Sequence, residues 1–318
     1  MSRFFVFVLF VSSSFLYILT SPPLRPLTLL RHATPLLRGP GGVRHRRLSW
    51  HWAGGERDSE TTTTTTTTIN NPLHISLTSP SIYLSLHPPT LTQLVRQLLA
   101  RGNRVHATAR GPSPGLAALA ANPGPGRLTV RTCDVASPAS VAAWSDELAR
   151  DLEAAAAPGL SLVIHNAGVA NWAPLKNVTA DDMVDLFRVN TVGAVLTTQA
   201  LLRVGAVGGK AGVPCTAAFM TSKMGSCADC GSGGSLAYRA SKAALNVVVK
   251  ALSIDLADRK VCATLLHPGW VVSDMTRNAP TSASESVAGM LGVLEAGAAG
   301  ELDLAGAWYD YKREVVPW

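Results

Sequence analysis

From Leu91 onward the chain alternates between two hydrophobic rhythms. Leu94, Val95, Leu98 and Leu99 recur at helical spacing, and Gly102 follows where a helix would end. Arg104 to Ala109 reads as a strand, Leu116 to Ala121 as a short helix, Leu128 to Cys133 as a strand ending at Asp134, and Ser140 to Ala157 as a long helix. Leu160 to His165 is an apolar run without alternation, the mark of a strand buried on both faces. A helix over Ala180 to Arg203, a strand over Thr216 to Met220, a glycine-rich loop, a helix over Leu236 to Leu256 and a strand over Val261 to Leu266 follow. Strands separated by helices of this length imply right-handed crossovers and a parallel sheet covered on both faces. The expected fold is α/β, a Rossmann-like doubly wound parallel sheet whose ligands bind outside the carboxyl ends of its strands.

Upstream the rhythm is lost. Residues 1–55 run from two apolar stretches, Phe4 to Val11 and Phe15 to Leu19, into an arginine- and proline-bearing segment without one acid. This is an Arg-rich apolar leader, read either as a targeting segment or as an artefactual or unfolded one. Residues 56–80 hold the unbroken run Thr61 to Thr68 and then Asn70-Asn71-Pro72, with no hydrophobic face to bury, and read as a disordered linker. The Rossmann-like domain is expected over 81–318, with Ile82 to Leu86 as a substitute first strand.

Composition narrows the function classes. Of the 318 residues 47% are hydrophobic and 15% charged, yet no stretch reaches the ~18–20 uninterrupted apolar residues of a membrane span. A polytopic membrane protein is excluded. A cytoplasmic location is expected, with organelle targeting or anchoring through residues 1–50 as the alternative. The net charge of +7 is local: seven arginines and no acid fall in residues 1–55, and the remainder is neutral. No basic groove, and so no nucleic-acid partner, is expected. The 5 cysteines are an odd number, scattered, and suit a reducing compartment. Cys227-Ala-Asp-Cys230 has C-x-x-C spacing but neither a second pair nor a nearby histidine, so no metal is expected. It reads as ordinary loop residues or, alternatively, as a redox-sensitive thiol pair beside the site.

The chemistry gathers around Tyr238-Arg-Ala-Ser-Lys242, which puts a phenol and an ammonium one helical turn apart on the same face. A phenol with a pKa near ~10 is a poor proton donor at neutral pH, but a neighbouring cation favours its phenolate. Such a pair is a tuned acid. Upstream lie Asn166-Ala167-Gly168 at a strand end, Asn190-Thr-x-Gly193 in a helix and Thr221-Ser222 at the next strand end; downstream is His267-Pro268-Gly269-Trp270-Val271. Together, over roughly Leu94 to Trp318, these residues resemble the short-chain dehydrogenase/reductase family, classical type. Ala237 to Asn246, Leu266 to Val271 and the terminal Trp-Tyr-Asp-Tyr…Pro-Trp318 resemble its sniffer-type and C-factor-like carbonyl reductase branch.

The resemblance implies a catalytic tetrad of Ser222, Tyr238, Lys242 and Asn190. Tyr238 would protonate a carbonyl oxygen as hydride arrives from a nicotinamide, and Ser222 would hydrogen-bond that oxygen. Lys242 would lower the tyrosine pKa and hold the ribose hydroxyls, and Asn190 would help hold a water. Ser226 rivals Ser222, because the family's usual serine-to-tyrosine spacing falls between the two. For the cofactor the resemblance implies Arg110 at the adenosine ribose, favouring NADP(H) over NAD(H), with Asp134 and Val135 at the adenine. Asn166, Ala167 and Gly168 would wall the adenosine side, with Pro268, Gly269, Val271 and Ser273 at the carboxamide. Gly205-x-x-Gly208-Gly-Lys210 lacks the Ser or Thr of a phosphate loop and reads as a helix-ending loop. His267 reads as a packing or hydrogen-bonding residue.

One family element is not found. The glycine-rich turn Thr-Gly-x-x-x-Gly-x-Gly should precede the helix containing Leu94, and its positions fall instead near Ser85, Pro89 and Leu91. Side chains there would crowd a pyrophosphate. Either cofactor binding has decayed, or the first ~90 residues are not the authentic start of the domain. The expected activity is NADP(H)-dependent reduction of aldehydes, ketones or quinones. The alternative is a cofactor-impaired, non-catalytic protein acting by partner binding. A short segment between Asp274 and Ser286 implies an open pocket and broad carbonyl specificity. The family assembly, a homodimer or homotetramer through the helices containing Asn190 and Tyr238, is implied as well.

Overall fold

A computed structural model describes residues 5–9, 84–85, 88–209, 212–272 and 279–318. In chain order its elements are β1 (Phe5–Leu9), β2 (Leu84–Ser85), α1 (Pro88–Ala100), β3 (Arg104–Ala109), α2 (Pro114–Ala121), β4 (Arg127–Thr132) and α3 (Pro138–Ala154). Then come β5 (Leu162–His165), β6 (Val169–Ala170), α4 (Ala180–Phe187), a π-turn (Arg188–Val192), α5 (Gly193–Arg203), β7 (Cys215–Met220) and α6 (Leu236–Asp255). β8 (Val261–His267), α7 (Ala283–Ala298) and β9 (Trp308–Asp310) complete it.

Seven strands form one sheet in the order β4-β3-β1-β5-β7-β8-β9, every neighbouring pair parallel. The order reverses on either side of β1, which places the topological switch point, and hence the ligand crevice, at the carboxyl ends of the central strands. Successive strand residues go to opposite faces, and both faces are dry. Val163, Ala217, Phe219, Ala263 and Leu265 pack with Trp144, Leu148, Leu201, Leu245 and Val249 from α3, α5 and α6. Ile164, Ala218, Met220 and Leu266 pack with Leu94, Val95, Leu98, Leu116, Met290 and Leu294 from α1, α2 and α7. Double coverage explains why these strands read as unbroken apolar runs.

Helix starts follow local chemistry. Thr179 and Asp182 form a reciprocal capping box at α4, Ser137 accepts from the Ser140 amide at α3, and Ser282 accepts from the Glu285 amide at α7. Gly102, just past α1, has φ of 76°, a left-handed C-terminal residue that glycine takes without a Cβ penalty.

The N-terminal region departs from expectation. Of the run Ile82 to Leu86, expected as a substitute first strand, the described residues Leu84–Ser85 pair antiparallel with Val169–Ala170, outside the main sheet. The central position is taken by Phe5–Leu9, between β3 and β5, so the segment read as a leader contributes a strand. Its sequence Phe-Val-Phe-Val-Leu is apolar throughout with β-branched and aromatic residues, as a central parallel strand requires. Leu84–Ser85 lies only three residues before Pro88-Pro89, which suits a short peripheral pair. The Thr61–Thr68 run and residues 10–83 and 86–87 lie outside the described residues. Among the described residues no helix is long and apolar enough to cross a membrane.

Candidate active site

Three strand ends and one helix build a cleft of about 470 Å³. β5 leads into Asn166, β7 into Thr221 and Ser222, and β8 into Pro268 and Gly269, all of which line it. From the side, α6 contributes Tyr238 and Lys242, one turn apart and only 4% and 2% exposed. The Lys242 Nζ donates to the Met220 carbonyl at 2.8 Å and stands 5.9 Å from the centre of the Tyr238 ring. Burial pulls the lysine down to about 7 from an ordinary 10.5. Burial pushes the Tyr238 phenol up to about 12, against a hydrogen bond with Ser222 that favours its ionised form. Ser222 also accepts from the Met224 amide at 3.2 Å, which orients its hydroxyl at the start of a single 3-10 turn, Lys223–Gly225.

Asn190 sits in the π-turn, where one extra residue per turn lets a side chain leave the regular helical face. Its amide nitrogen donates to the Val169 carbonyl and the Ser241 hydroxyl, both at 2.9 Å, and its oxygen accepts from the Val169 amide at 2.7 Å. Ser241 in turn donates to the Tyr238 carbonyl. Asn190 therefore fastens the segment after β5 to α6, and both its amide hydrogens are committed to protein oxygens. Ser226, the rival serine, is buried; its hydroxyl accepts from the Asp229 amide at 3.0 Å, and it is not among the residues lining the cleft.

The remaining predicted positions divide. Asn166, Pro268, Gly269 and Val271 line the cleft with the tyrosine. Gly269 has φ of 82°, and a Cβ there would lie 2.6 Å from the Tyr311 ring, so both conformation and space demand glycine. Val271 pairs with Thr281, closing the segment after β8. Val135, Ala167 and Asn190 share a second, small cavity of about 10 Å³ with His165. Val135 packs against Gly193, whose Cβ would fall 2.8 Å from the valine. Arg110 follows β3 beside Asp134: burial lowers its pKa and the carboxylate opposes the fall. Arg110, Asp134 and Gly168 line neither cavity, and Ser273 lies outside the described residues. Gly205, with φ of 68°, ends α5 as a helix-terminating residue.

Two residues join the site without having been singled out in the sequence. Asn246 accepts from the Thr221 hydroxyl at 2.6 Å and donates to the Gly225 carbonyl at 3.3 Å, gripping the chain on both sides of Ser222. Its spacing of four from Lys242, and eight from Tyr238, was the available signal. Thr90, in the first turn of α1, also lines the cleft.

The cleft suits a polar ligand bearing several hydrogen-bonding groups. Thr90 Oγ1, Asn166 Nδ2 and His267 Nδ1 are buried, line it, and have no hydrogen-bond partner among the described residues. Each such group costs about 1–3 kcal/mol while unsatisfied, and three around one cleft fit the carboxamide and ribose hydroxyls of a nicotinamide nucleotide. His267 is held neutral at about 4, chiefly by burial. The rest of the wall is apolar: Met220, Met224, Pro268 and the tryptophans Trp172 and Trp270, with Trp172 edge-on to Tyr238 at 5.3 Å. Among the described residues no group of three His, Cys, Asp or Glu side chains is placed to hold a metal.

The chain resembles known proteins in sequence and fold. The C-signal protein of Myxococcus xanthus is 40% identical over 161 residues, covering 50% of this chain and 93% of the relative. The 1-hydroxy-2-glutathionyl-2-methyl-3-butene dehydrogenase of Rhodococcus sp. is 34% identical over 185 residues, 58% of this chain and 74% of the relative. Among solved structures, the NADPH-bound carbonyl reductase from chicken fatty liver has a TM-score of 0.62 and 30% identity over 72% of this chain and 94% of its own. The carbonyl reductase Sniffer of D. melanogaster, at 24% identity, shares the fold with a TM-score of 0.63 over 71% of this chain and 94% of its own. The short chain dehydrogenase profile matches residues 92–283, more than half the chain and the part that holds Ser222, Tyr238 and Lys242. Sheet order, cleft and sequence agree that the chain belongs to the short chain dehydrogenase family.

Proposed function

We propose that this protein reduces carbonyl compounds to alcohols using NADPH, with Tyr238 as the proton donor. The observation that carries the reading is the buried contact of Tyr238 with Ser222 on one side and Lys242 on the other, at the floor of a cleft edged by unsatisfied polar groups. NADPH supplies the hydride. Burial holds the phenol near 12, above rather than below its ordinary value, so it keeps its proton through the neutral range and its strength as a donor depends on the cationic form of Lys242. Ser222 presents its hydroxyl to the same oxygen as negative charge develops there, a contact stronger in the transition state than in the ground state. Lys242, held near 7, is close to half protonated at neutral pH, and its ammonium form stabilises the phenolate that proton donation leaves behind. Asn190 and Asn246 position these groups through the Val169, Ser241, Thr221 and Gly225 contacts.

The preference for NADPH rests on Arg110 at the end of β3, where a guanidinium would meet a 2′-phosphate. It is supported by two structural neighbours, the NADPH-bound carbonyl reductase from chicken fatty liver and an NADP-bound short-chain dehydrogenase/reductase from Burkholderia multivorans. The Met and Trp walls favour apolar or planar carbonyl substrates. The exposed Val184 and Phe187 on α4 and Val247 and Ile254 on α6 support a self-associating surface on those helices.

The test follows NADPH oxidation with a panel of reactive aldehydes, diketones and quinones. It uses two proteins: the chain itself, and a version in which Thr-Gly-x-x-x-Gly-x-Gly replaces residues 10–87 and joins β1 to α1. Turnover that falls about 10²–10⁴-fold in Tyr238→Phe supports the reading. Turnover confined to the joined version places the defect in the pyrophosphate site alone. Two folded but silent proteins, or a Tyr238→Phe variant with undiminished turnover, overturn it.

A further inference from the structure

We propose that Cys227 and Cys230 form a reversible intramolecular disulfide by exchange with a low-molecular-weight disulfide such as oxidised glutathione, making the turn after Ser222 a thiol–disulfide modification site. The turn is built for closure. The Cys230 amide donates to the Cys227 carbonyl at 3.4 Å, the bond that defines a four-residue β-turn. Such a turn brings its first and last Cα atoms within ~7 Å, which overlaps the ~4.4–6.8 Å span of a disulfide. The two intervening amides are tied from outside: Ala228 donates to the Trp318 carbonyl and Asp229 to the Ser226 hydroxyl, both at 3.0 Å. The turn is thus held in its closed geometry before any sulfur bond exists, and closing it costs little chain entropy.

Selectivity follows from exposure. Cys227 and Cys230 are exposed, whereas Cys133 and Cys215 are buried and Cys262 is half-buried. Burial pushes the Cys133 and Cys215 thiols up to about 12 and raises that of Cys262, so these three offer little thiolate. Attack on the glutathione disulfide by one thiolate of the pair forms a mixed disulfide and expels one glutathione thiolate. The second thiolate then attacks the protein sulfur of that bond and expels the other. The two protons lost by the protein thiols are taken up through solvent by the two expelled glutathione thiolates, and the pair's two electrons reduce one oxidised glutathione to two thiols. The site is one 3-10 turn from Ser222, and its outer anchor is the last residue of the chain.

The experiment equilibrates the full chain, folded and in urea, with mixtures of reduced and oxidised glutathione. It is quenched with iodoacetamide and read by peptide mass spectrometry. In the folded chain the peptide carrying residues 227–230 should lose both alkylation sites together, weigh about 2 Da less than its dithiol form, and recover with dithiothreitol. Its equilibrium constant for closure should exceed that in urea at least tenfold. Cys230→Ser should instead accumulate a glutathione adduct on Cys227, and Cys227→Ser one on Cys230. Mixed adducts in place of the intramolecular bond in the unsubstituted chain overturn the proposal, as does closure no easier folded than in urea. The readout is mass, so it stands apart from the reductase activity.

Discussion

Lys242 is the most costly side chain in the site, and its cost should be visible as a pH dependence of stability. The ammonium ordinarily titrates at 10.5 and in the folded protein at about 7. Below pH 7 both states hold the proton, and the folded state bears the whole penalty of a buried charge. Between these values the unfolded chain binds more protons than the folded one, so unfolding free energy rises with pH. Each tenfold shift in proton affinity is worth about 1.4 kcal/mol, so the full span amounts to roughly 5 kcal/mol. Other groups set the window. His165 and His267, lowered by burial to about 3 and about 4, change stability mainly below pH 6.5. Cys133 and Cys215, raised from 9.0 to about 12, and Tyr238, raised from 10.0 to about 12, make stability fall once the unfolded chain loses their protons above those ordinary values. From pH 7 to about 8.5 the lysine dominates, and the linkage relation gives a rise on the order of 2 kcal/mol.

The assay is urea unfolding at four pH values across that window, on the parent and on Lys242→Met, which keeps the apolar stem and removes the charge. The parent midpoint should climb with an unchanged m-value. The variant should be more stable than the parent at pH 7 by about 2–5 kcal/mol, nearly flat with pH, and inactive as a reductase. A parent flat across the window, or a variant with the parent's slope, would refute a buried Lys242 whose pKa is drawn down to about 7.

Three further outcomes are expected. Ser222→Ala should lower kcat about 10²–10³-fold, whereas Ser226→Ala, which loses only the bond to the Asp229 amide, should change kcat less than about threefold while lowering the unfolding midpoint. Steady-state kinetics beside thermal melts separate them. Asn246→Leu should reduce kcat about tenfold with KM for NADPH nearly unchanged, because Thr221 and Gly225 lose their common anchor and Ser222 its register; Asn246→Gln should recover less than half of the loss, since the clamp has a fixed length. Arg110→Asp should raise KM for NADPH at least tenfold and lower that for NADH, and equal effects on the two would remove Arg110 from the 2′-phosphate site.

The strands and helices that carry the site were readable because their faces are dictated locally. Arg104 to Ala109 is buried at five of six positions, Val261 to His267 alternates between two apolar layers, and both are set off by the helical patterns around them. Three features were not readable. The helix over Ala283–Ala298 contains Gly289, Gly292 and Gly297, which local propensity counts against a helix. Their reason is tertiary: a Cβ on Gly289 would run into the Tyr311 carbonyl and one on Gly297 into Leu304, so the glycines record the close approach of the C-terminal segment. The break of the 180–203 helix at the π-turn is a single inserted residue, too small a change to disturb the hydrophobic period. The central strand at Phe5–Leu9 is separated from α1 by residues 10–87, and nothing in a five-residue apolar run says which sheet will receive it.

The site divides along the same line. Tyr238, Lys242 and Asn246 recur every four residues on α6, so one helical face sets the acid, its cation and the clamp on Ser222. Leu245 and Val249 anchor the same helix in the core, which fixes that face relative to the sheet. A spacing of four is a one-dimensional signal and survives in the sequence. The proposed cofactor side has no such economy, since Arg110, Asp134, Asn166 and Pro268 follow the ends of four different strands, and only Asn166 and Pro268 line the cleft with Tyr238. Their placement depends on the strand that joins the two halves of the sheet, β1. The proposed acid, its cation and the clamp on Ser222 are therefore legible in one helix, while the proposed nucleotide contacts depend on the assembled sheet.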